Sequence, residues 1–344
     1  MVLALLNLLA AAASGNPPLP VAQMTAQECP APSFDKERGN LGDRAIIADD
    51  GSKMVVQCGD GVVRLWQSGS AAFTPIGKVP LFRAAREHGI VPADVLCPWS
   101  SLIRSDMKIE ADCDIVDHSD AGGIYVLQTP GSPDSFVVSG PKVLQESTVW
   151  QRFGAFPVKG TSPNEIYIVD GQKRPQLLQK LSLNNGRAST IARLPSPNLL
   201  FEDGEGDASS VSYSPIYRSI IVSFGGAFRV AEEMTYLRAL DESGKERWSI
   251  KGKLPSRDEG LIVGDFTRTM IFADGRYALL AKTSDRHVAQ IIDLANGDAT
   301  ATIRGWPIAA ARNAAVAFVK GEQGTLSLIR LEIPDRSAEQ STAP

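Results

Sequence analysis

Histidine is almost missing from this chain: His88, His118 and His287 are the only three among 344 residues, and none follows a glycine. Acid–base and metal chemistry therefore have few carriers. There is no His-Glu-x-x-His helix, no Gly-x-Ser-x-Gly elbow and no phosphate-cradling Gly-x-x-x-x-Gly-Lys loop. Cysteine is scarce too, and Cys29, Cys58, Cys97 and Cys113 form no Cys-x-x-Cys pair, which argues against zinc sites and c-type haem. Lysines and arginines are scattered, and the formal net charge is −4 with a pI near 5.6. Without a basic field, nucleic acid is not an expected partner. Hydrophobic content of 43% and charged content of 22% argue against disorder. Beyond the N-terminus no apolar run is long enough to cross a bilayer, so no transmembrane segment is expected in the mature chain.

The N-terminus differs in kind. Val2 to Ala13 is an unbroken run of aliphatic and small residues apart from Asn7, followed by Ser14-Gly15-Asn16-Pro17-Pro18. That is the length of a signal-peptide core with a small-residue exit, and too short to span a membrane. No Lys or Arg precedes Lys36, so the usual positive leader is absent: either the true start lies upstream or the leader is an unusual one. The expected compartment is extracytoplasmic, periplasmic or secreted. The cysteines agree, being even in number and confined to residues 29 to 113. Oxidised, they would tie the N-terminal segment to the first repeats, and all three pairings stay open at this point.

What is present is a strand–turn–strand unit recurring about every 55 residues. Its clearest copies are Ile47-Ala48-Asp49-Asp50-Gly51 leading to Met54-Val55-Val56, and Ile271-Phe272-Ala273-Asp274-Gly275 leading to Tyr277-Ala278-Leu279-Leu280. Each reads as a strand end, an Asp-Gly turn that tolerates positive φ, and a second aliphatic strand. Ser105-Asp106, Ser162-Pro163-Asn164 and Ser214-Pro215-Ile216 fall at the same spacing, and Ala314 to Leu331 makes a shorter sixth unit. A second marker keeps step: the outer turns at Asn184-Asn185-Gly186, Asp241 to Gly244 and Asp293 to Gly297. Each unit supplies about four short strands and cannot cover both faces of its own sheet. Radial stacking covers the faces, and closing the ring leaves only short edges.

The expected fold class is therefore all-β, a β-propeller of six blades, or seven if residues 70 to 145 hold two. Residues 1–22 are read as signal peptide and linker, 23–334 as one propeller domain closed by an N-terminal strand, and 335–344 as a disordered tail. The only helical pattern is a turn or two at Leu81 to His88. The last unit has two strong strands after Gly305, so a strand from the segment before Gly51 is expected to complete its sheet.

The outer repeats carry resemblances. Ile291-Ile292-Asp293-Leu294-Ala295-Asn296-Gly297 resembles the repeat of YVTN-type propellers. Ala239-Leu240-Asp241 with Gly244-Lys245 and Trp248 is similar to the tryptophan-docking repeat of quinoprotein-like and BamB-like propellers, one residue short between Asp241 and Gly244. Gly61-Val62-Val63-Arg64-Leu65-Trp66 resembles the end of a WD-repeat blade. The resemblances imply propeller architecture and no particular subfamily. The Gly-His and Trp-Asp dipeptides of WD blades are missing, as are the adjacent cysteines expected of quinone dehydrogenases.

Candidate functional residues are few. His118, in Asp117-His118-Ser119-Asp120, is the best acid–base candidate. Asp203, Glu205 and Asp207 place carboxylates on one loop, where oxygen-rich segments can hold Ca²⁺, although the spacing is not that of an EF-hand. Trp66 and Trp248 sit at matching ends of repeat strands and should pack between blades. Trp99 and Trp150 lie near connections and are the candidate contacts for a partner. The expected function is a non-catalytic, monomeric binding propeller that presents loops to a protein or small-molecule ligand and carries no cofactor. The alternative is a hydrolase or lyase with a metal or acid–base group in the central funnel.

Overall fold

A computed structural model describes residues 20–30, 44–91, 114–118, 125–128, 135–139, 142–146, 158–160, 162, 164–170, 175–182, 187–194, 207–228, 233–253, 263–265, 267–282 and 285–333. Strand β1 (Pro20–Met24) stands apart from its neighbours in sequence. The first sheet follows as β2 (Arg44–Ile47), β3 (Lys53–Gln57), β4 (Val63–Gln67) and β5 (Thr74–Gly77), and then helix α1 (Leu81–Glu87). The second sheet is β6 (Asp114–His118), β7 (Tyr125–Gln128), β8 (Ser135–Ser139) and β9 (Lys142–Glu146). The third is β10 (Val158–Lys159), β11 (Glu165–Asp170), β12 (Gln176–Ser182) and β13 (Ala188–Leu194). The fourth is β14 (Asp207–Ser214), β15 (Ser219–Phe228), β16 (Glu233–Asp241) and β17 (Glu246–Lys253), with β18 (Val263–Asp265) added to the end of β15. The fifth is β19 (Thr267–Phe272), β20 (Tyr277–Lys282), β21 (Asp285–Asp293) and β22 (Ala299–Arg304). The last has β23 (Trp306–Ala310), β24 (Val316–Lys320) and β25 (Leu326–Arg330) in line.

The chain is thus all-β, built from antiparallel sheets in which consecutive strands are neighbours. The exception is the last sheet, whose order is β1-β25-β24-β23. Its fourth strand comes from the N-terminal segment, with Met24 opposite Leu326 and Gln23 opposite Ser327. Residues 114–118, 125–128, 135–139 and 142–146 form one four-stranded sheet. Its first hairpin turns between His118 and Tyr125, so the Ser105-Asp106 marker precedes the second sheet and lies outside the described residues.

Burial explains the arrangement. The second strands β3 and β24 are buried throughout their centres, and β20 from Tyr277 to Ala281. These continuous aliphatic runs are the pattern of strands covered on both faces. The fourth strands β13 and β22 are largely exposed, as expected of sheet edges. Hydrophobic clusters span neighbouring sheets. One joins the third, fourth and fifth, another the fifth and last, and another the last and first through Ile308, Phe318, Leu328, Met54, Val56 and Trp66. Each fully buried Leu, Ile or Phe in them contributes about 1.5–3 kcal/mol.

Helix α1 covers the remaining face of the first sheet. Leu81, Phe82, Ala84 and Ala85 are buried against Ile46, Val55 and Leu65, with Ile90 and Val91 closing the cluster. Lys53 Nζ donates to the carbonyl of His88 at 3.1 Å and fixes the helix end. The Leu81–Val91 connection is therefore a packed element and not a free loop.

Candidate functional site

The repeat that dominates the sequence is used to build turns. Gly51 and Gly275 adopt φ of +69° and +84°, the left-handed region that side-chain-bearing residues avoid. Aspartates finish the turns: Asp50 Oδ1 accepts from the Ser52 N–H at 2.9 Å, Asp60 from Val62 at 2.9 Å, and Asp293 from Ala295 at 2.9 Å. Asp241 accepts from both Ser243 and Lys245 N–H groups. These donors hold the carboxyls of Asp50, Asp60 and Asp241 below the usual range, the Ser52, Arg64 and Ser243 side chains being the largest cause in turn.

The turns that follow the first strands are linked to one another from sheet to sheet. Ser214 Oγ donates to the Gly275 carbonyl, the Asp274 N–H to the Arg312 carbonyl at 2.8 Å, and the Asn313 N–H to the Asp49 carbonyl at 2.7 Å. A belt thus runs through the fourth, fifth, last and first sheets. Gly275 is needed in it for space, since a Cβ there would lie 2.7 Å from Pro215 Cδ. Asp49 sits where the belt crosses from last sheet to first. Surrounding protein raises its carboxyl pKa, Arg312 partly offsets this, and Asp50 adds to it.

A second interlock joins the third and fourth sheets. The rings of Tyr167 and Tyr213 stack with centroids 5.6 Å apart. Tyr213 donates its hydroxyl to Glu242 Oε1 at 2.6 Å, and Arg218, at φ +49°, pairs with the same carboxylate. Burial, and then the charge of Glu242, pushes the Tyr167 hydroxyl well above the ordinary tyrosine range. This arrangement orients Tyr213 between the Tyr167 ring and Glu242.

Of the residues singled out from the sequence, Trp99, Trp150, Asp203, Glu205, Cys97 and Cys113 lie outside the described residues. His118 is the last residue of β6, opposite Tyr125, whereas Asp207 is the first of β14, opposite Gly225. Among the described residues no three His, Cys, Asp or Glu side chains gather as a metal site would require. Cys29 and Cys58 form a disulfide.

Trp66 and Trp248 do not occupy equivalent strands. Trp66 is on β4 and donates to the Ser70 carbonyl of its own hairpin at 2.8 Å. Trp248 is on β17 and reaches forward to the fifth sheet, where its Nε1 donates to the Leu294 carbonyl at 3.3 Å. A Cβ at Gly297 would lie 2.7 Å from its ring. The Asp241–Trp248 segment therefore docks one sheet on the next. Sequence reading missed Tyr213 and Glu242, because their pairing crosses 29 positions between two strand ends and leaves no local pattern.

No family model and no curated protein matches the chain. Two of the similar solved structures show how weak the likeness is. BamB from Moraxella catarrhalis is 11% identical with a TM-score of 0.34, over 82% of this chain and 70% of that one. A chain of the mitotic checkpoint complex is 9% identical with a TM-score of 0.49, over 97% and 99%. At such identity and overlap neither assigns a family or an activity to this chain.

Proposed function

We propose that the sheets close into one six-bladed β-propeller, and that the protein works outside the cytoplasm by binding a protein or small-molecule ligand through loops at one end, without chemistry of its own. The observation that carries this reading is the contrast between the two ends of the strands. At one end the first hairpin turns are short and laced together by hydrogen bonds. In this reading the other end carries the connections from the last strand of one sheet to the first of the next, to which the sequence intervals 92–113, 147–157 and 195–206 belong. Long connections held on a rigid scaffold are where binding residues concentrate. Trp99, Trp150, Asp203 and Glu205 all fall in them.

Closure is supported by meetings of first strands, β10 with β14, β14 with β19, β19 with β23 and β23 with β2, and by β1 completing the last sheet. The compartment reading rests on the apolar run of residues 2–13 and on the Cys29–Cys58 disulfide. No helix among the described residues is long and apolar enough to cross a membrane.

The test is substitution of Trp99 or Trp150 by Ala, followed by capture of partners from periplasm or medium and by thermal melting. A binding hot spot loses more than about 1 kcal/mol of affinity with the melting temperature nearly unchanged. A core residue instead costs roughly 3–5 kcal/mol of stability. Turnover of esters, lactones, glycosides or phosphoesters that is abolished by His118→Ala or by chelation would overturn the reading in favour of an enzyme.

A further inference from the structure

Residues 20–30 run from the last sheet to the first and are tied to both. Among the described residues strand β1 pairs on one side only, with β25, and just two of its side chains, Ala22 and Met24, are buried. Its register shifts between Pro20 and Ala22, and Gln23 Nε2 donates to Ser327 Oγ on the exposed side. Immediately after it a turn is tied by Glu28, whose carboxylate accepts from the Thr25 N–H and hydroxyl. The Cys29 N–H donates back to the Thr25 carbonyl at 3.0 Å. The chain then crosses to the first sheet: Cys29 is bonded to Cys58 just beyond β3, and the Gly59 N–H donates to the Pro30 carbonyl at 2.8 Å. Both cysteines are buried, at 2% and 3% exposure.

A five-residue edge strand with two buried side chains is weakly held by its own contacts. The covalent bond beyond it keeps its far end from leaving. We propose that Cys29–Cys58 is a redox-sensitive latch on the closing strand: with the bond formed β1 stays on β25, and with the bond reduced β1 detaches and uncovers the β25 edge while the other sheets persist. A dithiol supplies the step. One of its thiolates attacks a protein sulfur, giving a mixed disulfide and one free cysteine thiolate. Its second thiolate then closes the dithiol's own disulfide and expels the other cysteine, so two electrons pass to the protein and the thiolates take up protons according to pH. Because both sulfurs are buried, the rate follows local opening of the seam rather than simple collision. The proposal does not depend on ligand binding, and it makes completion of the last sheet conditional on an oxidising compartment.

The test uses the full chain, reduced in place with a small dithiol and alkylated under native conditions, with hydrogen exchange read by peptide mass. The expected result is exchange faster by on the order of tenfold or more at Val21–Met24 and Leu326–Arg330, with protection at Ser219–Phe224 and Tyr277–Ala281 retained. The double variant Cys29→Ser/Cys58→Ser should show the same pattern without reductant. Unchanged exchange at β1 and β25 after complete reduction overturns the latch. Equal loss of protection in all sheets also overturns it, because the bond would then support the fold as a whole.

Discussion

The seam between the last and first sheets and the seam between the fourth and fifth are both filled by apolar side chains, and they differ in what accompanies the filling. The first is apolar and covalent: Ile308, Phe318, Leu328, Met54 and Val56 fill it, and a disulfide lies at its edge. The second is apolar as well, Val222, Leu237 and Leu240 sharing a cluster with Ile271, Leu280 and Ile292, and hydroxyls lie in the same two sheets. Ser212, Ser214, Ser219, Ser223, Thr235, Thr267 and Thr269 are all buried in the fourth and fifth sheets, and among the described residues the first and last sheets bury no comparable side chain. Where the chain is continuous from one sheet to the next, a seam can tolerate polar contacts that must each find a partner. Where the two sides come from opposite ends of the chain, close packing of large apolar groups and a cross-link hold them together.

The largest effect that would sharpen this contrast is expected at Phe318, fully buried and 5.9 Å by ring centroid from Phe73. Phe318→Ala should cost about 3–5 kcal/mol in urea unfolding, the loss of a large buried ring from an apolar cluster. A loss below about 1 kcal/mol would mean that the seam repacks easily and that the cross-link alone closes it.

A middle-sized effect is expected from two glycines of nearly equal φ, Gly297 at +84° and Gly69 at +89°. A Cβ at Gly69 meets nothing within 4 Å, whereas at Gly297 it meets the Trp248 ring. Gly69→Ala should cost about 1 kcal/mol, the backbone preference alone. Gly297→Ala should cost about 1–3 kcal/mol more, and its near-ultraviolet circular dichroism should report a displaced indole. Equal losses would show that Trp248 does not hold the fourth sheet on the fifth.

The smallest effects should differ in sign. Thr267 Oγ1 donates to the Phe224 carbonyl at 2.7 Å, but the buried Oγ1 of Thr269 finds no hydrogen-bond partner among the described residues. Thr267→Val should destabilise by about 1 kcal/mol, and Thr269→Val should be neutral or stabilising by up to about 1 kcal/mol. If both lose equally, the hydroxyl seam acts as one network and not as separate bonds.

What could be read beforehand follows from how local each feature is. The turns at Gly51 and Gly275 were legible because positive φ asks for glycine within a few residues of an aliphatic strand. The second sheet is harder to read, because the Ser105-Asp106 marker lies outside the described residues and the pairing of His118 with Tyr125 leaves no aliphatic Asp-Gly pattern beside it. Helix α1 showed only as a turn or two, since seven residues with two adjacent alanines hardly display a period. The need for a closing strand could be inferred, but not its identity: Pro20-Val21-Ala22-Gln23-Met24 has neither length nor alternation, and only pairing with β25 marks it. The Tyr213–Glu242–Arg218 interlock and the turn belt are long-range contacts, which one sequence does not record.

The strand that completes the last sheet is made long before the strand it joins. Gln23 bonds to Ser327 across 304 positions, and at about 5–20 residues per second that partner emerges roughly 15–60 s later. Throughout that interval β1 has no sheet to join and every shorter nascent chain carries an unpaired edge. The protein is therefore topologically unfinished until β25 has been made, and a chain truncated before Leu326 has no strand for β1 to pair with.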